Sequence, residues 1–436
     1  MRDYGAYELV GAEAGQNDPD DVRRGVDDAL ECGGCSSSDD GDDRARTRAQ
    51  RLSCSSRLWT LTAAVTGLLV AGGLLLALRA LVRSHARDGR SERYPQSTEL
   101  CGDAYNTFGY IWRGKSPTEI RWIPYDTDEE LGEAALGLRP DSYALSNATS
   151  PPGSVLARAP PSWNSVLNAS RDLSGDERLD FMRGRTVLFV GDSHDRKGVE
   201  GFCAHHRNLG AKLGGRGGHT ATRCEIPSLD FTLANWFHYG MPEREEEWYG
   251  AGLSPGMDLP PYSIEDRLRD AFEPDLVDIG QPDLIVLNSV YWDLRYFARK
   301  AQHEGWQAEL QRSDRPLTWD ELRWHRSRLR SFVMLFRERF PGTKIMYRPG
   351  QLRADNAGSG NVAVYQINES AQHVMAELGV PIFPWGAHLI GDESYVDDMH
   401  FPVVSQATYL FGDMALYYLY RVVEGTWVMR GPGGGC

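Results

Sequence analysis

Positive charge is what this 436-residue chain lacks most clearly: 47 lysines and arginines stand against 61 aspartates and glutamates, a net charge of −14. No long lysine-rich run occurs, and without the basic face that such binders carry, nucleic acid is excluded as a partner. No internal repeat is visible, so a stacked-repeat architecture is not expected. Cysteine is sparse. Of seven, Cys32, Cys35 and Cys54 precede residue 58, and Cys101, Cys203, Cys224 and Cys436 follow it. Cys32-Gly-Gly-Cys35 lacks the further ligands that would complete a zinc site, so no bound metal is expected. The later four can form two disulfides in an oxidising compartment; Cys203 with Cys224 and Cys101 with Cys436 are the expected pairs.

One long uncharged run is present, Leu58–Leu78, LWTLTAAVTGLLVAGGLLLAL. As a helix it would rise roughly 30 Å, the thickness of a bilayer's hydrocarbon core. A long polar segment precedes it, which a cleaved signal peptide would not have, so an uncleaved signal anchor is expected over residues 58–82. Arginines flank it almost evenly and leave its orientation open. The glycosylation triplets at Asn147, Asn168 and Asn368 all follow it. They place the N-terminus in the cytosol and the remainder in the lumen. Residues 1–57 read as a disordered tail, with a sorting-signal form at Tyr7–Val10 and a palmitoylation candidate at Cys54. Residues 83–100 read as a stem and 101–436 as the lumenal domain. Ala63, Gly67 and Ala71 form a small-residue face on which two anchors could pair as a homodimer.

In the lumenal part, Gly132–Glu177 is rich in Pro, Ser and Asn and is expected to be a long surface loop. Short apolar runs then alternate with helical patterns. Thr186–Val190, Phe231–Tyr239, Asp283–Leu287, Lys344–Tyr347 and Pro381–Phe383 suit strands. Thr318-Trp-Asp-Glu321 is a capping box that opens a helix to about Phe340. Asn361–Leu378 and Val403–Val422 are further helices. This order predicts a three-layer α/β fold with a mostly parallel sheet.

Active sites of open α/β sheets lie beyond the carboxyl ends of the strands, and three clusters fall there. In Val190-Gly191-Asp192-Ser193, a buried strand runs into a turn that would expose Ser193 near a helix start. Asn288, just past another strand, can donate its amide to an oxyanion. In Asp397-Asp398-Met399-His400, a carboxylate three residues before a histidine can orient the imidazole as a general base for a serine. Each also suits a plainer role: turn chemistry, an N-cap or a surface turn. Asp398 competes with Asp397.

Taken in order, these clusters resemble the SGNH (GDSL-type) hydrolase superfamily. Within it, Gly191-Asp192-Ser193-His194-Asp195-Arg196, Asn288-Ser289 with Trp292-Asp293-Leu294, and Tyr347-Arg-Pro-Gly350 resemble the PC-esterase branch with its trichome-birefringence-like O-acetyltransferases. The likeness covers about residues 100–425 and implies the flavodoxin-like form of the α/β fold. It implies Ser193 as nucleophile, His400 as base and Asp397 as its orienter. The oxyanion hole would use the Ser193 N–H, Asn288 and Gly240, with Gly214–Gly218 as a competing glycine source. Asp192, Arg196, Trp292 and Arg348 would support the site. The implied activity is O-acyl transfer, O-acetyl transfer above all, onto glycan or polysaccharide hydroxyls in the Golgi. No bound cofactor is implied, acetyl-CoA is a candidate donor, and a single span leaves donor transport to a separate protein. Acetyl-ester hydrolysis by the same residues is the alternative. A metal-dependent glycosyltransferase, suggested by Asp126-Thr-Asp128, and a non-catalytic glycan-binding protein are further readings.

Overall fold

The computed structural model describes residues 98–125, 158–215, 219–243, 246, 248–249, 263–276, 279–352, 361–390, 394–397, 399–431 and 436. The expected tail, anchor and most of the stem lie outside them, as do Asn147, Asp126, Asp128 and Asp398. Among the described residues no helix is long and apolar enough to cross a membrane.

The elements in chain order are β1 (Gly109–Arg113), β2 (Ile120–Pro124), α1 (Trp163–Ala169), β3 (Thr186–Gly191), α2 (Ser193–His205), β4 (Lys212–Gly214), β5 (Ala221–Ile226), β6 (Phe231–Phe237), α3 (Ile264–Asp270), α4 (Phe272–Asp275), β7 (Leu284–Leu287), α5 (Tyr291–His303), α6 (Trp319–Arg339), β8 (Lys344–Tyr347), α7 (Asn361–Leu378), α8 (Trp385–His388) and α9 (Gln406–Val423). The main sheet runs β4-β5-β6-β3-β7-β8. β6, β3, β7 and β8 are parallel neighbours, whereas β5 and β4 extend the edge antiparallel. β1 and β2 form a separate antiparallel hairpin.

The alternation along each parallel strand builds the layers. Val187 and Phe189 of β3 pack with Val199 and Phe202 of α2 and with Phe411, Met414 and Leu416 of α9. Leu188 and Val190 turn the other way, onto Leu329, Phe332 and Phe336 of α6, Leu268 of α3 and Val374 of α7. A strand covered on both faces is apolar on both, which is why the β3 run Thr186–Val190 does not alternate in sequence. The three-layer α/β architecture with a mostly parallel sheet follows.

Several expectations need correction. Pro381–Phe383 makes only an isolated parallel bridge, Tyr347 with Ile382. Gly132–Glu177 is not loop throughout. Ser162 caps α1 by accepting from the Ser165 N–H, and Trp163 and Leu167, one turn apart, bury against the α9 side of the core. The last helix begins at Gln406 rather than Val403, because Ser405 and Thr408 form its capping box.

The two expected disulfides are present, Cys203–Cys224 between α2 and β5 and Cys101–Cys436 between the two ends of the domain, with Cα separations of 5.3 and 5.4 Å. Beside the second, Leu100 bridges Met429 antiparallel.

Candidate active site

β3 ends at the carboxyl edge of the sheet, and its turn into α2 is held by side chains on both sides of Ser193. The Asp192 carboxylate accepts from the His194 N–H (2.9 Å), and the Asp195 carboxylate accepts from the Asp192 N–H (3.1 Å). This is a reciprocal cap in which Asp195 stands where glutamate is usual. A Cβ on Gly191 would lie 1.8 Å from Asp195 Oδ2, so only glycine fits beneath the turn. Ser193 is the first residue of α2. Its N–H therefore has no intrahelical partner and stands at the positive end of the helix.

Ser193 Oγ lies 2.7 Å from His400 Nε2. Behind the ring, His400 Nδ1 meets Asp397 Oδ2 at 2.8 Å and Oδ1 at 3.1 Å. Asp397 Oδ1 also accepts the N–H groups of Met399 (2.9 Å) and His400 (2.7 Å), so the carboxylate is anchored within its own turn. Partial burial alone would raise the Asp397 pKa, but the Met399 N–H and the His400 contacts outweigh it and hold the value at about 2. The His400 pKa is lowered, first by burial and then by the charge of His194; Asp397 pulls the other way. At neutral pH the imidazole is therefore unprotonated and can take the Ser193 proton.

The other residues expected at the site divide into two groups. Arg348, at the end of β8, is fully buried and grips Asp195 with two bonds of 2.6 Å; Asp192 is 3.5 Å away. Burial works against the Arg348 charge, and the two carboxylates outweigh it. Burial likewise opposes the charge of Asp192, but His194 and Arg348 hold its pKa well below the usual carboxylate range. Trp292 packs edge-on to Tyr239 (5.0 Å) and Phe237 (5.7 Å), bracing the chain that leaves β6. Arg196, by contrast, pairs along α2 with Glu200 (3.7 Å), and it is Arg348 that grips the Ser193 turn.

Asn288 lies at the end of β7, beside β3, and is buried. Its Nδ2 donates to the Arg348 carbonyl (2.7 Å), so one amide hydrogen is engaged in holding the β8 end. Gly240 follows β6 with φ +84°. A Cβ there would come within 2.8 Å of Asp293 Oδ1, which accepts the Met241 N–H (2.8 Å). Gly214 closes the edge strand β4. Of the two described glycosylation candidates, Asn168 is exposed at the end of α1. Asn368 is half-buried, with its amide bonded twice to the Gly350 backbone (2.9 and 2.7 Å).

Sequence reasoning missed the layer behind these residues. Asp195 ties the Ser193 turn to Arg348, and His194 and Gln351 both reach the Met399 carbonyl of the His400 loop. Ser289 Oγ lies between His238 Nε2 (2.8 Å) and Asp293 Oδ2 (2.5 Å), all buried, which ties the end of β6 to the start of α5. Burial raises the Asp293 pKa to about 6 against the pull of Ser289 and the Met241 N–H. Among the described residues no group of three metal-ligating side chains occurs.

No family model and no curated protein matches the chain. Solved structures to which it is similar include a lipase/acylhydrolase from Enterococcus faecalis, at 15% identity and TM-score 0.30 over 55% of this chain and 96% of that one. The acetyl xylan esterase AlAXEase aligns at 11% identity and TM-score 0.32 over 52% and 97% of the two chains. Axe2, an acetylxylan esterase from Geobacillus stearothermophilus, aligns at 14% identity and TM-score 0.32 over 57% and 98%.

Proposed function

We propose that this protein is a serine-dependent enzyme of O-acyl esters, acting on O-acetyl groups of glycans through an acyl-enzyme on Ser193. The observation that carries the reading is the hydrogen-bonded chain Ser193–His400–Asp397 at the carboxyl edge of a parallel sheet. In the first step His400 Nε2 takes the Ser193 proton as Oγ attacks the ester carbonyl. The imidazolium then returns that proton to the departing sugar hydroxyl. In the second step His400 deprotonates the acceptor as it attacks the acyl-enzyme carbonyl, and the imidazolium then gives that proton to Ser193 Oγ as the acyl–Oγ bond breaks. The Ser193 N–H at the α2 terminus, Asn288 and the Gly240 segment are the candidate donors to the oxyanion.

Hydrolysis is the reading we favour for the second step. The His400 side chain is 19% exposed and that of Asp397 49% exposed, so water has access to the base. Transfer to a sugar hydroxyl needs water kept out. It is the second reading, supported by the PC-esterase likeness of Asn288–Leu294 and Tyr347–Gly350. The same likeness supports a glycan as substrate and, for transfer, a donor such as acetyl-CoA delivered by a separate transporter. The paired cysteines favour an oxidising compartment. With the uncharged segment at 58–78 they support a single-pass protein whose catalytic domain lies in the Golgi lumen. The test is to incubate the protein with acetylated glycans, and separately with acetyl donors and unacetylated glycans, and to follow free acetate and sugar acetylation by mass spectrometry. Acetate release from glycans that Ser193→Ala abolishes supports the hydrolytic reading. Net sugar acetylation supports transfer, and neither product refutes both.

A further inference from the structure

His194 follows Ser193 directly, yet its side chain is 2% exposed and turned inward. Nδ1 lies 2.8 Å from Asp192 Oδ1, and Nε2 lies 3.0 Å from the carbonyl oxygen of Met399. Both partners are acceptors, and only a ring that carries a proton on each nitrogen can donate to both. Met399 immediately precedes His400. Its carbonyl also accepts from Gln351 Nε2 (3.2 Å), and Gln351 Oε1 accepts in turn from Arg348 Nη1 (3.4 Å). The ring lies nearly parallel to that of His400, with centroids 5.0 Å apart and planes at 25°; Tyr291 packs on it at 5.0 Å.

We propose that His194 is a positioning residue for this site, tying the nucleophile turn to the His400 loop through the Met399 carbonyl. The inference rests on the reading of Ser193 and His400 as nucleophile and base. The two come from segments 207 residues apart, and their 2.7 Å contact must be set by something other than chain connectivity. The ring of His194 spans that gap. Its second role is electrostatic. The charged and titratable groups facing it are Asp192 and Asp195 on its own turn, Arg348 beyond them, and His400. Those facing His400 are Asp397, His194 and Lys197 of α2. A cationic ring 5.0 Å away disfavours a second imidazolium and keeps His400 available as a base at lower pH. A purely apolar residue after the serine would supply neither effect.

The test measures the rate at which a fluorophosphonate labels Ser193 in the full chain, as a function of pH. Wild type, Ser193→Ala, His194→Leu, His194→Gln and Gln351→Leu are compared. His194→Leu loses both the clamp and the charge. Its labelling rate is expected to fall on the order of 10²-fold, the usual cost of displacing a reacting group by about 1 Å. The acid limb of its pH profile should move to higher pH. His194→Gln keeps a donor for the Met399 carbonyl but no charge, so it should recover most of the rate while retaining the shifted limb. Gln351→Leu, which removes a neutral group, should slow labelling without moving the limb. Unchanged rate and pH profile in His194→Leu would overturn the proposal. So would a slowed His194→Gln whose acid limb coincides with wild type, since that is what a purely structural role gives. Absence of Ser193-dependent labelling in wild type is a different result: it removes the underlying reading, and the proposal with it.

Discussion

Replacing Arg348 by methionine should be among the most damaging single changes available in this domain. The Arg348, Asp195 and Asp192 side chains are 0%, 1% and 3% exposed, and the guanidinium makes two bonds of 2.6 Å to one carboxylate and lies 3.5 Å from the other. Methionine fills similar space but leaves two carboxylates buried side by side. Breaking a buried pair in this way costs about 3–5 kcal/mol. The folded protein can limit the loss by protonating Asp195, which gives the effect a sign in pH. A carboxyl whose folded pKa lies above its unfolded value stabilises less as pH rises through that interval. The deficit should therefore grow from about pH 4 upward, by at most ~1.4 kcal/mol per unit. Urea unfolding of wild type and Arg348→Met, followed by tryptophan fluorescence at pH 5 and pH 7.5, measures this directly. Adding Asp195→Leu should recover part of the loss, because the pair is then removed together. A deficit below 1 kcal/mol that is the same at both pH values would refute the reasoning.

Esterase turnover should rise with pH through a midpoint below 6.5, the ordinary histidine value, and then stay level to pH 8, because burial and His194 both lower the His400 pKa; a midpoint at or above 7 in a kcat/KM profile would contradict this. Asn288→Ala should lower kcat on the order of 10²–10³-fold if its second amide hydrogen serves the oxyanion, whereas a loss of stability alone, read by unfolding, would confine Asn288 to bracing the Arg348 carbonyl. Asn168→Gln should reduce the glycosylated mass of protein made in a secretory host, and Asn368→Gln should not, since the Asn368 amide is committed to Gly350; a mass loss in the second variant would show that the clasp gives way.

The parallel strands were legible because double-sided burial leaves an unbroken apolar run, as in Thr186–Val190. α6 and α7 were legible from a capping box at Thr318 and a terminating glycine at Gly379. The antiparallel edge was not. β5, Ala221–Ile226, carries Thr, Arg and Glu among its six residues, and its pairing with β6 depends on a turn rather than a sequence period. Asp397 could be named because three residues place it one turn before His400. Asp195 was missed as the partner of Arg348, since the two are 153 positions apart and aspartate is not the usual third residue of a capping box. His194, between Ser193 and Arg196, carries no role that its neighbours in sequence announce. Its meaning depends on which carbonyl the His400 loop brings to its far nitrogen, and no local pattern contains that information.

The most direct test of the account is to quench the protein during turnover of an acetyl ester and locate any covalent acetyl group by peptide mass spectrometry. The account predicts acetylation of the peptide that contains Ser193, lost in Ser193→Ala, with turnover insensitive to chelators. Acetate release by Ser193→Ala at the wild-type rate, or turnover abolished by a chelator with no acetylated peptide, would contradict it.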